Sequence, residues 1–282
     1  MACGAWQSSR RETGATGKSD SGATAQPRTV IAVVENADDP ADGYFGASVA
    51  RDYDALSADR FAPEAIEPVV ARLAELAAGG RALEFAIGTG RIALPLAAAG
   101  VQVDGIELSR AMADELRRKP GGESIKVTIG DMASTRVDGT YSLVYLVFNT
   151  IANLTTQQEQ VACFRNAAEH LAPGGFFVIE VGVPSLRRLP PGQNAVPFLI
   201  TRERLGFDTF DPATQQTSSH HIIFRDGAAE YREIPFRYVW PSELDLMAQL
   251  AGMHAYARWS DWSGAPFTGE STQHVSVWQK LR

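Results

Sequence analysis

Three acids and one bare stretch of backbone are the first groups with chemistry to offer. Residues 82–100 read ALEFAIGTGRIALPLAAAG. A strand-like apolar run carrying Glu84 meets Gly88-Thr89-Gly90, and a helical pattern follows. Glycines let a backbone come close to a ligand, and the first turn of a helix offers N–H groups without partners. With Ala93 the turn reads G-x-G-x-x-A, and Glu107 closes the next apolar run 19 residues after Gly88. An acid placed there reaches ribose hydroxyls. Asp131 stands after a third such run, IKVTIGD.

On spacing alone, this pattern suits NAD, FAD or S-adenosylmethionine, all of which carry adenosine. Glu84 helps to separate them. A pyrophosphate loop has no use for an acid four residues before its first glycine. A cationic ligand tail does, because a carboxylate orients donors such as an ammonium. The structural alternative is that Glu84 caps a neighbouring helix or pairs with Arg81 or Arg91. A charged side chain in a buried strand favours the ligand role.

Residues 80–180 resemble the class I S-adenosylmethionine-dependent methyltransferases. Their first motif stands here as Glu84-Phe85-Ala86-Ile87-Gly88-Thr89-Gly90, with Ala86 in place of the first glycine. The resemblance implies that the Gly88–Gly90 turn holds S-adenosylmethionine, with S-adenosylhomocysteine as product. It implies that Glu107 holds the ribose, with Leu108 and Met112 among the cofactor contacts. Asp131 would accept from the adenine amino group, and Met132 would pack on the ring. Val147-Phe148-Asn149-Thr150 would lie by the methyl donor. Upstream, ARDYDAL at 50–56 resembles the helix that closes over the cofactor in small-molecule members, so Tyr53 would reach the methionyl end. Arg91 would meet the methionyl carboxylate.

Methyl transfer is an in-line displacement that depends on holding the nucleophile close, aligned and dry. A general base is needed only where the acceptor must lose a proton. His220, His221 and Tyr238 are the candidates for that task. The two histidines are adjacent on a strand, so they point to opposite faces and at most one faces a pocket. The structural alternative for each is a solvated strand position, or core for Tyr238. The base-methylating tetrad Asn/Asp-Pro-Pro-aromatic is absent, since its position reads Asn149-Thr150-Ile151-Ala152.

These groups need a scaffold. Apolar strands alternate with helical segments through residue 183, the signature of a parallel sheet covered on both faces. The fold expected is α/β: a Rossmann-like, seven-stranded, mostly parallel sheet with helices on both faces, plus an inserted antiparallel β unit. The prolines at 184, 190, 191 and 197 break the pattern, and two strands then flank Asp226-Gly227, a hairpin signal. Ile234, Phe236, Tyr238 and Trp240 share one face of the second strand, which predicts a covered face. The division expected is a flexible tail at 1–40, a cofactor-binding domain at 41–183 and 241–282, and a substrate-binding insertion at 184–240. TVIAVVEN at 29–36 is a short apolar run able to dock.

Composition narrows the partners. The chain has 282 residues, 45% hydrophobic, and a net charge of −7. Such a surface gives no general attraction for phosphate backbones or anionic lipid, so neither nucleic acid nor membrane is the expected partner. Two cysteines do not make a disulfide framework or a zinc cluster, and no metal is expected. Arg10-Arg11 lacks a following apolar region, so a cytoplasmic protein is expected. The expected partner is a small-molecule acceptor, methylated on N, O or an activated ring carbon such as an indole, in bacterial secondary metabolism. A homodimer is left open. The competing readings are a methyltransferase-fold protein that keeps the cofactor structurally and an NAD-dependent oxidoreductase.

Overall fold

The computed structural model describes residues 31–33, 42–225 and 228–281. The expectations for the tail before residue 31, for Arg10-Arg11 and for the Asp226-Gly227 turn fall outside the described residues. In chain order the elements are β1 (Ile31–Val33), α1 (Ala47–Leu56), α2 (Pro63–Ala77), β2 (Ala82–Phe85), α3 (Ala93–Ala98), β3 (Val103–Glu107) and α4 (Arg110–Arg118). Then come β4 (Lys126–Ile129), β5 (Tyr141–Leu146), α5 (Gln157–His170) and β6 (Leu171–Gly182). The strands β7 (Ala195–Ile200), β8 (Arg204–Asp211), β9 (Gln216–Arg225) and β10 (Ala228–Arg237) follow. The last elements are α6 (Pro241–Leu250), β11 (Met253–Trp259) and β12 (Gln273–Lys280).

The main sheet has the order β11-β12-β6-β5-β2-β3-β4. Strands β2 to β6 pair in parallel, while β12 runs antiparallel to both β6 and β11. Buried apolar residues cover both faces: Phe164, Phe177 and Met247 with α5 and α6 on one, Leu73, Leu96 and Leu116 with α2, α3 and α4 on the other. Two-sided burial is why β2, β3 and β5 show no polar–apolar alternation and are buried along almost their whole length, their acids Glu84, Asp104 and Glu107 included. Helix ends carry their own signals. Ser109 caps α4 by accepting from the Met112 N–H, and Thr156 with Glu159 closes a capping box on α5.

The second sheet has the order β1-β10-β9-β8-β7, with β7 to β10 antiparallel. Ile31–Val33, within the stretch read as a tail, pair in parallel with the outer edge of β10. The Arg225↔Ala228 register joins β9 and β10 as the hairpin expected. Arg237 locks this sheet to the main domain. It is 5% exposed and donates to Gln160 of α5 (2.5 Å) and to Glu243 of α6 (2.7 Å). On the opposite face Tyr238 packs with Val196 and Phe210. The face expected to be covered is closed there, while Trp240 beside it is exposed.

Candidate active site

A parallel sheet binds ligands at the carboxyl ends of its strands, where the strand order reverses. Here β2 sits between β3 and β5. A cleft of about 270 Å³ opens at that end, lined among others by Tyr53, Gly88, Glu107, Asp131, Thr150 and Pro235. Leu108, Met112 and Met132 also line it.

Three residues of the turn after β2 take left-handed backbone: Ala86 (φ 51°), Gly88 (φ 57°) and Gly90 (φ 82°). Ala86 stands in that conformation without glycine's freedom, at a cost on the order of 1 kcal/mol. A Cβ on Gly88 would meet Met112 at an ordinary 3.5 Å, so it is the left-handed backbone, not space, that favours glycine there. Gly90 does not line the cleft. A Cβ there would press on Leu116 and Leu94 at 3.0–3.1 Å, so its role is to let the turn pack on α3 and α4.

Glu107 ends β3 and is 6% exposed. Its two carboxylate oxygens accept from the backbone N–H of Gly88 (2.7 Å) and of Ser109 (2.9 Å). Burial raises its pKa, and these backbone bonds oppose the shift. Asp131 accepts from the Ala133 N–H at 2.7 Å and stays at the cleft wall.

Glu84 is not at the wall. It is buried beneath the turn, where it accepts from the Tyr145 hydroxyl at 2.8 Å and bonds the Ala93 backbone at the start of α3. Burial pushes its carboxyl up to about 8. Arg81 pairs instead with Asp104.

Arg91 and Val147 also lie off the cleft lining. The Arg91 guanidinium stands 5.6 Å over the Phe148 ring, with Arg60 at 3.7 Å, and both act electrostatically on the Tyr53 phenol. Val147 is packed in the core beside Tyr145. Phe148 and Asn149 both adopt left-handed backbone, held by Glu180 and Gly182 of β6. This sharp turn brings Thr150 to the cleft.

The alternation of β10 separates the remaining candidates. Pro235 lines the cleft, and Ser218 lies opposite it on β9. His220, opposite Glu233, is therefore on the cleft-side face of the inserted sheet. His221 and Tyr238 fall on the other face, the histidine against Phe198 and the tyrosine against Phe210. Neither lines the cleft, because successive side chains along one strand point to opposite faces: His221 opposes His220 on β9, and Tyr238 follows the Pro235 and Arg237 positions out of step.

Sequence reasoning missed the segment before α1. Asp42 and Phe45 line the cleft. Asp42 accepts from the Arg110 N–H (2.6 Å), and the Phe45 carbonyl accepts from the Ser109 hydroxyl (2.7 Å). Asp54 of α1 accepts from the Thr89 hydroxyl at 2.6 Å and pairs with Lys119. No local pattern announces these ties. Glu159 was findable, since T-x-x-E at 156–159 is a capping box whose acid also meets the cleft.

The lining tests what could bind. Among the described residues it carries four carboxylates, Asp42, Glu107, Asp131 and Glu159, and no Lys, Arg or His. A dinucleotide pyrophosphate would be repelled, and the Gly88 N–H already faces Glu107. A nucleoside carrying positive charge fits both the glycine turn and the acidic wall. The fold and this wall define a nucleoside-binding α/β enzyme that handles a cationic cofactor.

Comparison with known proteins agrees. Residues 82–175 match the methyltransferase domain family. The solved CcbJ methyltransferase from Streptomyces caelestis is 35% identical, with a TM-score of 0.74, over 84% of this chain and 98% of that one. The cypemycin N-terminal methyltransferase of Streptomyces is 28% identical over 207 residues, 72% of this chain and 84% of the relative. The dTDP-4-amino-2,3,4,6-tetradeoxy-D-glucose N,N-dimethyltransferase of Saccharopolyspora spinosa is 33% identical over 132 residues, 45% of this chain and 52% of the relative. The chain belongs to the class I S-adenosylmethionine-dependent methyltransferases. It is a methyltransferase enzyme, and S-adenosylmethionine is its cofactor. Among the described residues no helix is long and apolar enough to cross a membrane.

Proposed function

We propose that the protein methylates the nitrogen of a small-molecule amine in bacterial secondary metabolism. The observation that carries this reading is the wall of four carboxylates without a cationic side chain, which suits both a sulfonium donor and an amine acceptor. Two relatives support nitrogen as the acceptor atom by their own names, which describe N-methylation.

In this reading the Gly88 turn and Glu107 hold the ribose, and Asp131 with Met132 holds the adenine. Tyr53, on α1, closes over the methionyl end. When bound, S-adenosylmethionine would supply an electrophilic sulfonium methyl: an N–C bond would form from the amine lone pair, the C–S pair would leave on sulfur as S-adenosylhomocysteine, and the product ammonium would release its proton to solvent. The protein's own contribution is placement and water exclusion by Phe45, Thr150 and Pro235. Glu84 acts one layer back, fixing the start of α3 rather than touching the ligand.

The test is transfer of labelled methyl from S-adenosylmethionine to a panel of an amino sugar, a free peptide N-terminus and a phenol. Label on an amine is the expected result. Label on the phenol alone would overturn nitrogen. Tight S-adenosylhomocysteine binding without transfer to any acceptor would favour a structural use of the cofactor.

A further inference from the structure

The cleft-side face of the inserted sheet carries a polar cluster beyond Pro235. Its members come from three neighbouring strands: Thr209 on β8, Ser218 and His220 on β9, and Tyr231 and Glu233 on β10. The strands are in register without a bulge, so these residues share the face of Pro235. The His220 ring is stacked between Phe207 (4.6 Å) and Tyr231 (5.9 Å).

The hydrogen bonds fix the direction of the chain. Tyr231 donates its one proton to Glu233 at 3.1 Å. Its oxygen is 2.6 Å from His220 Nδ1, so that nitrogen must donate. His220 Nε2 then takes the Thr209 hydroxyl at 2.9 Å. With both ring nitrogens engaged, Nδ1 by Tyr231 and Nε2 by Thr209, His220 is placed to orient its neighbours rather than to strip a proton from an acceptor. Glu233 receives the converging bonds: Ser218 also donates to it, and the Ser218 and Tyr231 hydroxyls hold its carboxyl below the usual range. Glu233 is exposed and shares the β10 face of Pro235, two residues along the strand.

We propose that Glu233, braced by Tyr231 and Ser218 and oriented through His220, binds a second cationic group of the acceptor, on the far side of Pro235 from the cofactor. This rests on the methyltransferase reading above and adds a substrate class: a small molecule with two basic nitrogens. Glu233 and Pro235 are two residues apart on one strand, so the nitrogens would be separated by about 7 Å or more. His220 is a positioning residue in this scheme.

The probes are cadaverine and pentylamine, which have the same five-carbon chain and two or one ammonium groups, titrated into protein saturated with S-adenosylhomocysteine. A bond between a fixed carboxylate and a second ammonium predicts a preference for cadaverine of about tenfold. Glu233→Gln, an isosteric change at an exposed site, should abolish the preference while leaving the melting temperature and S-adenosylhomocysteine affinity unchanged. His220→Asn, which still bridges two hydroxyls, should retain more of it than His220→Ala, and His221→Ala on the opposite face should retain it all. Equal binding of the two amines, no binding of cadaverine, or an undiminished preference in Glu233→Gln would each overturn the proposal. Failure of the wild-type protein to bind S-adenosylhomocysteine would instead overturn the cofactor reading on which it rests.

Discussion

Glu107 shows how one side chain at the cleft wall orders two elements at once. Its oxygens order the Gly88 and Ser109 amides, so the turn after β2 and the cap of α4 share one carboxylate. Replacing it by Ala removes a buried acceptor and strands two amides. Glu107→Ala should weaken S-adenosylhomocysteine binding by about 1–3 kcal/mol, measured by calorimetry. Unchanged affinity would remove Glu107 from the ribose site. Glu84 makes a different prediction. Its folded-state pKa of about 8 lies above the ordinary 4.5, because burial penalises the charged form. Between those values the folded chain keeps a proton that the unfolded chain releases. Stability from this group therefore falls as pH rises through that window, by on the order of 1 kcal/mol per pH unit, and levels off above it. Denaturant titrations within the window should show a flatter pH slope for Glu84→Gln than for the wild type.

At the scale of elements, Arg237 is the bolt between β10 and helices α5 and α6. Removing it leaves Glu243 and Gln160 without their buried partner. Arg237→Leu should lower unfolding free energy by about 3 kcal/mol, because breaking one side of a buried pair leaves the other uncompensated. Since Pro235 precedes it by two residues, the same change should loosen the acceptor wall and raise the acceptor KM more than it alters cofactor affinity. The capping signals behaved differently from this bolt. Ser109 and the Thr156–Glu159 box are local patterns, because a cap is satisfied within one helical turn. The Arg237–Gln160 contact spans 77 residues, and no local pattern encodes it.

For the whole molecule, cofactor binding and folding are linked. The cleft is lined from the strand ends of β2, β3 and β4 and from α1, so it exists only in the assembled sheet. S-adenosylhomocysteine at a hundred times its Kd should raise unfolding free energy by about 2.7 kcal/mol, read as a higher melting temperature, while NAD should produce no shift. An equal shift from NAD would contradict the exclusion of a pyrophosphate by the acidic wall.

The sequence by itself determined the α/β class, the glycine turn, Glu107 and Asp131 as acids at strand ends, and the inserted hairpin. These follow from local periodicity and from short-range turn chemistry, which a linear reading captures. It also determined that His220 and His221 oppose each other, because strand alternation is a period of two. Only the tertiary structure decided which of them shares the face of Pro235, the residue of the inserted sheet that lines the cleft, since that depends on how Arg237 docks the sheet. It likewise moved Glu84 behind the turn, against Tyr145, and brought Asp42 and Phe45 to the opening. Those placements are set by contacts between segments distant in the chain, whose energies come from shared burial and leave no repeating mark in the residues themselves.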